Sequence, residues 1–324
     1  MNVLRMTLVC GLVLFGVLGS VQAQEKYPTR LIEFVVQSAP GGSADVAARL
    51  YTDELAKALK VPITAVNRAG GAGIQGVTYV TRAEKDGYTL LQGSGTSIII
   101  LPLISKEATY DPLKDLVPLG HFVSVPTVLA VRSDSPFKTL AELIEYARKN
   151  PEKLKNSTGG LGTFSYFNLE LLCVETKVKI TTIPFKSGGE ALPALLGGHV
   201  DMASNTLTTL GPQIAAGKVR GLAITSKKRD PDFPNLPTTA ELGYPNVSFS
   251  TWFGVFAPAG VPQSVTSVLV PALEKIFKDP EVVKRAEKAQ FTVDYKGPDE
   301  FRKFIEREIT LASKVAEGAK LAKE

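Results

Sequence analysis

Apolar residues along the chain fall into two patterns. Short β-branched runs, such as residues 30–36 (Arg-Leu-Ile-Glu-Phe-Val-Val), read as buried strands. Longer stretches repeat at helical spacing, as at Val46, Ala47, Leu50, Leu55, Ala58 and Leu59. The first strand stops at Ala39-Pro40-Gly41-Gly42-Ser43, and Ser43 is the expected N-cap of the helix that follows. Residues 63–66 form the next strand, with a loop over 67–73. The turn Asp86-Gly87 leads into a third strand that ends at Gly93-Ser94-Gly95-Thr96. The order then repeats. A strand at 125–131 and a helix at 141–149 precede a Gly-rich loop over 156–163, a helix at 164–175, a strand at 180–185 and a short helix at 190–196. Strands at 200–203, 219–225 and 252–258 follow, and helices at 263–278 and from 299 to about 320 close the chain.

Strands that end in Gly/Ser loops and run into helices predict an α/β fold with parallel sheets covered by helices. Extended strands near residues 127 and 253 join the two series. They predict two lobes with two crossover strands: residues 24–126 in the first lobe, 127–253 in the second, and 254–324 returning to the first. Open α/β sheets bind ligands beyond the carboxyl ends of their strands, so two facing lobes enclose a cleft.

The first 23 residues carry a different signal. Arg5 precedes an apolar run of about 13 residues, and Val21-Gln22-Ala23 places small residues at the −3 and −1 positions. This predicts a secretory signal peptide cut after Ala23. The run is shorter than the roughly 20 residues that span a bilayer. The mature chain would then hold 324 − 23 = 301 residues and a single thiol, Cys173.

Composition narrows the functional classes. With 44% hydrophobic and 21% charged residues the chain is globular, not disordered. Two Cys and two His supply neither a disulfide framework nor a structural zinc cluster, and no metal is expected. A net charge of +5, with no block of five like charges, suits an anionic partner but not a nucleic acid. Gly71-Ala-Gly-Ile-Gln-Gly76 matches a dinucleotide fingerprint literally. The position where such a site wants an acidic residue is near Gln92, so the run reads as a structural turn, with no cofactor. Catalytic signatures such as G-x-S-x-G, H-E-x-x-H and the P-loop do not occur. Cys173, inside Leu171-Leu172-Cys173-Val174, reads as a small core residue. Asp201 is either a polar strand-edge residue or a cleft residue.

Two Gly/Ser loops carry the most chemistry: Ala39-Pro40-Gly41-Gly42-Ser43, and Thr158-Gly159-Gly160-Leu161-Gly162-Thr163. Each runs into the first turn of a helix, where N–H groups lack intrahelical partners and the dipole is positive. Either loop alone reads as ordinary capping. One in each lobe predicts a shared site for a carboxylate, held without Arg or Lys.

At these residues the chain resembles the extracytoplasmic solute-binding receptors of the tripartite tricarboxylate transporter family, also called Bug receptors. The resemblance runs through Tyr27-Pro28, Ala39-Pro40-Gly41-Gly42-Ser43-Ala44-Asp45, Asn67-Arg68, Asp86-Gly87-Tyr88-Thr89-Leu90 and residues 110–115. It continues through Leu196-Gly197-Gly198-His199-Val200-Asp201, Trp252-Phe253-Gly254 and Ala257-Pro258-Ala259-Gly260. It implies a Venus-flytrap, type II-like periplasmic binding protein that is not an enzyme. Such a receptor, a monomer in the periplasm, captures a small organic carboxylate and delivers it to membrane permease subunits. Carried over from the family, Pro40, Gly41, Gly42, Gly160, Gly162 and Thr163 would hold the carboxylate, and Ser94 and Gly95 would match a third cleft loop. Ser38, Ala39, Ser43, Thr158, Leu161, Phe164, Ser204 and Asn205 flank these positions and complete the expected site.

Several positions depart from the family pattern. Gln37-Ser38 stand where a Pro and an aromatic residue are usual, Tyr166 where His is usual, Leu161 where a polar residue is common, and Ala203-Ser204-Asn205 where Phe-Asp-Asn is frequent. Leu161, Phe164 and Tyr166 point to a ligand with an apolar or aromatic body. The alternatives are an exported sensor presenting the acid to a membrane receptor and an exported enzyme using the same cleft.

Overall fold

The computed structural model describes residues 27–318, so the expected signal peptide lies outside the described residues. Three parallel strands, β1 (Ile32–Val36), β2 (Ile63–Asn67) and β3 (Thr89–Ser94), form one half of a sheet. A long strand β4 (Leu116–Arg132) follows. A second parallel trio is β5 (Lys155–Thr158), β6 (Thr181–Pro184) and β7 (Met202–Thr206). The remaining strands are β8 (Val219–Ile224), β9 (Ser250–Pro258) and β10 (Thr292–Lys296).

β4 belongs to both sheets. From Leu116 to Pro126 it pairs with β9, and its outer side takes β10; from Thr127 onward it runs between β7 and β8. The first sheet therefore reads β2-β1-β3-β9-β4-β10 and the second β8-β4-β7-β5-β6. All of β9, from Ser250, pairs in the first sheet. The result is a two-lobed α/β fold in which β4 links the sheets.

Both faces of the sheets are covered, which explains why the strands read as apolar runs without simple alternation. Val35, Leu91, Leu129 and Phe256 pack into one core; their neighbours Phe34, Leu90, Val128 and Val255 pack into the other. Cys173 is buried in the first of these cores, and burial pushes its thiol up to about 12.

Some elements differ from expectation. The single helix read over residues 43–59 is two, Ser43–Arg49 and Thr52–Leu59. The break falls where the Leu50 and Tyr51 N–H groups turn to the carbonyls three residues back, at Ala47 and Ala48. Tyr51 there enters the core against Phe122 and Phe277, and its hydroxyl donates to Gln92 Oε1. Residues 156–158, read as loop, belong to β5. Helices Ile74–Thr81, Leu207–Ala215 and Pro280–Lys288 and strand β10 complete the fold.

Candidate functional site

The carboxyl ends of all six parallel strands converge on one cavity of about 90 Å³. Beyond β1 the wall is Gln37, Ser38, Gly42, Ser43 and Ala44; beyond β2 it is Gly70, Ala72 and Gly73; at β3 it is Ser94 and Thr96. From the second lobe come Gly159, Thr163 and Ser165 beyond β5, Lys186, Ser187 and Gly188 beyond β6, and Asn205 and Thr206 at the end of β7. Thr251 and Phe253 of β9 close the back.

The helices that follow these strands all begin at the cavity: Ser43–Arg49, Ile74–Thr81, Phe164–Thr176, Gly188–Leu196 and Leu207–Ala215. Their positive ends converge from both lobes, which favours a negative ligand. Among the described residues, Lys186 is the one charged side chain on the wall.

The lobes touch across the cleft. The Ser43 and Thr206 hydroxyls lie 2.8 Å apart, and the Phe164 N–H donates to Thr96 Oγ1 at 3.2 Å. Gly41 and Gly189 meet so closely that a Cβ on Gly189 would sit 3.0 Å from the Gly41 carbonyl oxygen. These contacts describe a closed cleft.

The first loop is held by side chains behind it. Asp45 accepts from the Gly41 N–H at 3.1 Å, from Arg49 and from Asn67 Nδ2, which also donates to the Ser38 carbonyl at 2.9 Å. Burial pushes the Asp45 carboxyl up, but hydrogen bonds from Arg49, Asn67 and Gly41 outweigh it and hold the group below the usual carboxylate range. Asp45 and Asn67, prominent in the resemblance, thus build the loop from outside the cavity.

The expected site residues divide. Ser38, Gly42, Ser43, Ser94, Thr163 and Asn205 line the cavity. Pro40 and Gly41 turn to solvent, the Gly41 N–H is taken by Asp45, and Ala39 is buried beneath them. Thr158 is buried, its hydroxyl 3.5 Å from that of Thr163, and Gly159 takes its place on the wall. Gly160 packs near Ala72 and Gly162 near Leu101 of the opposite lobe. Gly95 lies against Phe164 and Trp252, and Ser204 accepts from Asn156 Nδ2 inside the second sheet.

Ser43 is not the N-cap. Gly42 holds that position, and the Ser43 hydroxyl is spent on the interlobe contact instead. Leu161, Phe164 and Tyr166 do not face the cavity. Leu161 is 52% exposed, Phe164 is buried in a stack with Phe249, and Tyr166 lies beside Glu170. The wall is hydroxyls, amides and glycines with one aromatic ring. A cation, Lys186, borders a site expected to lack one. Asp201 is a strand-edge residue that accepts from the Lys155 N–H.

The loops beyond β2 and β6 were not anticipated. Each has the same signature as the loops that were, namely Ala69-Gly70-Gly71-Ala72-Gly73 and Lys186-Ser187-Gly188-Gly189, a Gly/Ser run between strand and helix. Applying the strand-end rule to every parallel strand finds them.

Two α/β lobes that share the long strand β4 and close on a cavity at their strand ends define a solute-binding protein. The profile of the tripartite tricarboxylate transporter family receptor (TctC) matches residues 47–320, and the chain belongs to this family. Protein BugT of Bordetella pertussis is 33% identical over 312 residues, covering 95% of each chain. The structure of Rpa4515 from R. palustris with adipate superposes with a TM-score of 0.88 at 30% identity, covering 92% of this chain and 100% of that one. MatC from Rhodopseudomonas palustris with bound malate gives a TM-score of 0.85 at 31% identity, covering 89% and 99%. The family's members are extracytoplasmic solute-binding receptors, not enzymes. Among the described residues no helix is long and apolar enough to cross a membrane.

Proposed function

We propose that this protein is a periplasmic receptor that captures a small organic carboxylate between its lobes and delivers it to a tripartite tricarboxylate-type permease. The observation that carries this reading is the convergence of five helix N-termini, several hydroxyls and Lys186 on one cavity between the lobes. The acids in the names of two similar structures, adipate and malate, support the same class.

In this reading the cavity residues Ser38, Gly42, Ser43, Ser94, Thr163 and Asn205 hold the ligand together with Gly70, Gly73, Thr96, Ser187 and Lys186. Residues 27–126 and 250–318 form the first lobe and 127–249 the second; the return falls at the start of β9, a few residues before the expected boundary at 253, because β9 pairs in the first sheet from Ser250. The chain is exported by cleavage after Ala23 and acts as a monomer. Capture works by closure: contacts such as Ser43–Thr206 form only when the lobes meet, so a ligand that bridges them shifts the population toward the closed state.

The test is a thermal-shift screen of the purified mature protein with mono-, di- and tricarboxylates, sugars and small ammonium compounds, followed by calorimetry on each acid that stabilises it. Stabilisation by at least one small acid at millimolar concentration is expected. Stabilisation by ammonium or sugar ligands and by no acid overturns the reading.

A further inference from the structure

The chain passes between the lobes twice, and the two passages lie side by side. β4 leaves the first sheet at Pro126 and enters the second at Thr127; the return runs from Phe249 to Ser250, and Ser250 pairs with Pro126. Any rotation of one lobe against the other must bend the backbone there.

A buried polar network sits on both passages. The Asn168 amide grips Phe249 from both sides: its Nδ2 donates to the Phe249 carbonyl at 2.8 Å, and its Oδ1 accepts from the Phe249 N–H at 3.2 Å. The same Nδ2 donates to Thr127 Oγ1 at 3.2 Å. Thr225 joins the passages again: its hydroxyl accepts from the Thr127 N–H at 2.9 Å and donates to the Phe249 carbonyl at 3.1 Å. Asn168, Thr127 and Thr225 are fully buried, and each of their side-chain polar atoms has a partner. A buried network in which every member is satisfied is stiff and specifies one arrangement.

The network also reaches the cavity. Asn168 lies one turn after Phe164 on helix Phe164–Thr176, and the Phe164 ring stacks on that of Phe249 with centroids 5.6 Å apart. The start of the same helix gives Thr163 and Ser165 to the cavity wall, and the Ser165 hydroxyl lies 3.2 Å from that of Thr127. One helix therefore carries cavity hydroxyls at its first turn and holds both passages at its second.

We infer that Asn168 is a positioning residue for capture: it ties both passages to helix Phe164–Thr176, so that the lobes swing along one path and bring Thr163 and Ser165 to the same place opposite the first lobe. The inference rests on the closure reading above and adds the part that guides the motion. Asn168 is absent from the cavity wall, so it acts through the hinge and not on the ligand. A fixed closing path leaves less disorder for the ligand to remove on binding, which favours affinity without a further contact.

The experiment measures the distance between nitroxide labels on Lys57→Cys of the first lobe and Lys149→Cys of the second, both exposed positions, by pulsed electron resonance. The mature protein is used in a Cys173→Ala background and without ligand. Each state of the otherwise wild-type protein is expected to give a narrow peak. Asn168→Leu, close in size but unable to bond either passage, is expected to broaden the distribution at least about 2-fold. Thr225→Val should broaden it less, and Thr225→Ser, which keeps the hydroxyl, should restore the original width. Leu143→Ala, in the core under helix Leu140–Lys149, is expected to lower the melting temperature without changing the width, which separates a loosened lobe from a loosened hinge. An unchanged width in folded Asn168→Leu overturns the inference, and so does equal broadening in Leu143→Ala. If Asn168→Leu does not fold, Thr225→Val decides: an unchanged width, or a broadening that Thr225→Ser shares, overturns the inference, and a broadening that Thr225→Ser restores supports it. Failure of every acid in the screen to move the peaks counts against the carboxylate reading; equal widths remove this inference alone.

Discussion

The two lobes hold equivalent loops by different physics. In the first lobe the loop beyond β1 is fastened by charge: Asp45 gathers the Gly41 N–H, the Arg49 guanidinium and the Asn67 amide. In the second lobe the loops are fastened by neutral caps and close packing. Thr163 accepts from the Tyr166 N–H and donates to the Gly160 carbonyl, Ser187 accepts from the Glu190 N–H, and Asn205 donates to the Gly188 carbonyl. A Cβ on Gly159 would lie 2.7 Å from the Gly188 nitrogen, so the loops beyond β5 and β6 can lie together only because glycine is there. One lobe is thus sensitive to charge and pH, the other to added volume.

The strongest test of this contrast adds volume to the second lobe. Gly189, in the first turn of helix Gly188–Leu196, faces the Gly41 carbonyl across the cleft. Gly189→Val leaves each lobe able to fold and sets the new side chain against that carbonyl when the cleft closes. Affinity for the acid that stabilises the wild type is expected to fall at least about 1,000-fold, or ~4 kcal/mol. The melting temperature of the ligand-free protein should move by no more than a few degrees. Unchanged affinity by calorimetry would mean that binding does not need the contact between Gly41 and Gly189.

A second test titrates the first lobe. His121, in the part of β4 paired with β9, is buried among Trp252, Phe301 and Phe304, and its Nδ1 donates to the Asp294 carbonyl. Burial, then the nearby Lys296 ammonium, lowers its pKa to about 4, against a smaller opposing pull from Asp294. The unfolded chain binds this proton near pH 6.5 and the folded chain only near 4. Stability from this group is therefore complete above pH 6.5 and drains away between 6.5 and 4, by about 3 kcal/mol in total. Urea unfolding across that interval should show the decline in the wild type and a flatter profile in His121→Gln. Glu170 of the second lobe, whose burial raises its carboxyl pKa, loses stability in the opposite direction, as pH rises, and is unchanged by that substitution.

How much of this could be read from sequence depended on what each segment buries. Apolar strands such as β1 and β9 announced themselves because both faces meet hydrophobic cores. β5 did not: Lys-Asn-Ser-Thr contains no apolar side chain, yet Asn156, Ser157 and Thr158 are fully buried in the second sheet. Helix Pro280–Lys288 buries only Val282 and Ala286 and left a weak trace. At the site, glycine and hydroxyl runs located the ends of β1 and β5, and the family resemblance added those of β3 and β7. Sequence could not tell which side of a loop each residue faces. Phe164 follows Thr163 and Leu161 lies two residues before it, but the helix carries Phe164 into the core while the loop leaves Leu161 in solvent. The roles of Asp45 and Asn67 were equally hidden, because a residue that builds a loop from behind has the same signature as one that touches the ligand.

The smallest effect separates the two modes of fastening most cleanly, because it compares equivalent substitutions in the two lobes. Asp45→Asn keeps the shape but leaves Arg49 and Asn67 without a carboxylate, and is expected to cost about 2 kcal/mol at pH 7. Thr163→Val removes the neutral cap of helix Phe164–Thr176 and is expected to cost about 1 kcal/mol. Their pH dependences differ in kind. The Asp45 carboxyl is held below its ordinary value in the folded protein, so its contribution is complete above about pH 4 and is lost as pH falls through the folded pKa. The cost of Asp45→Asn should therefore shrink between pH 7 and pH 3, as the wild type loses what the variant already lacks. The cost of Thr163→Val should stay constant, since no proton is bound or released at the hydroxyl. Urea unfolding of both variants and the wild type at the two pH values measures this directly. Equal costs for Asp45→Asn at both pH values would show that charge does not hold the first loop, and that the lobes share one mode of fastening after all.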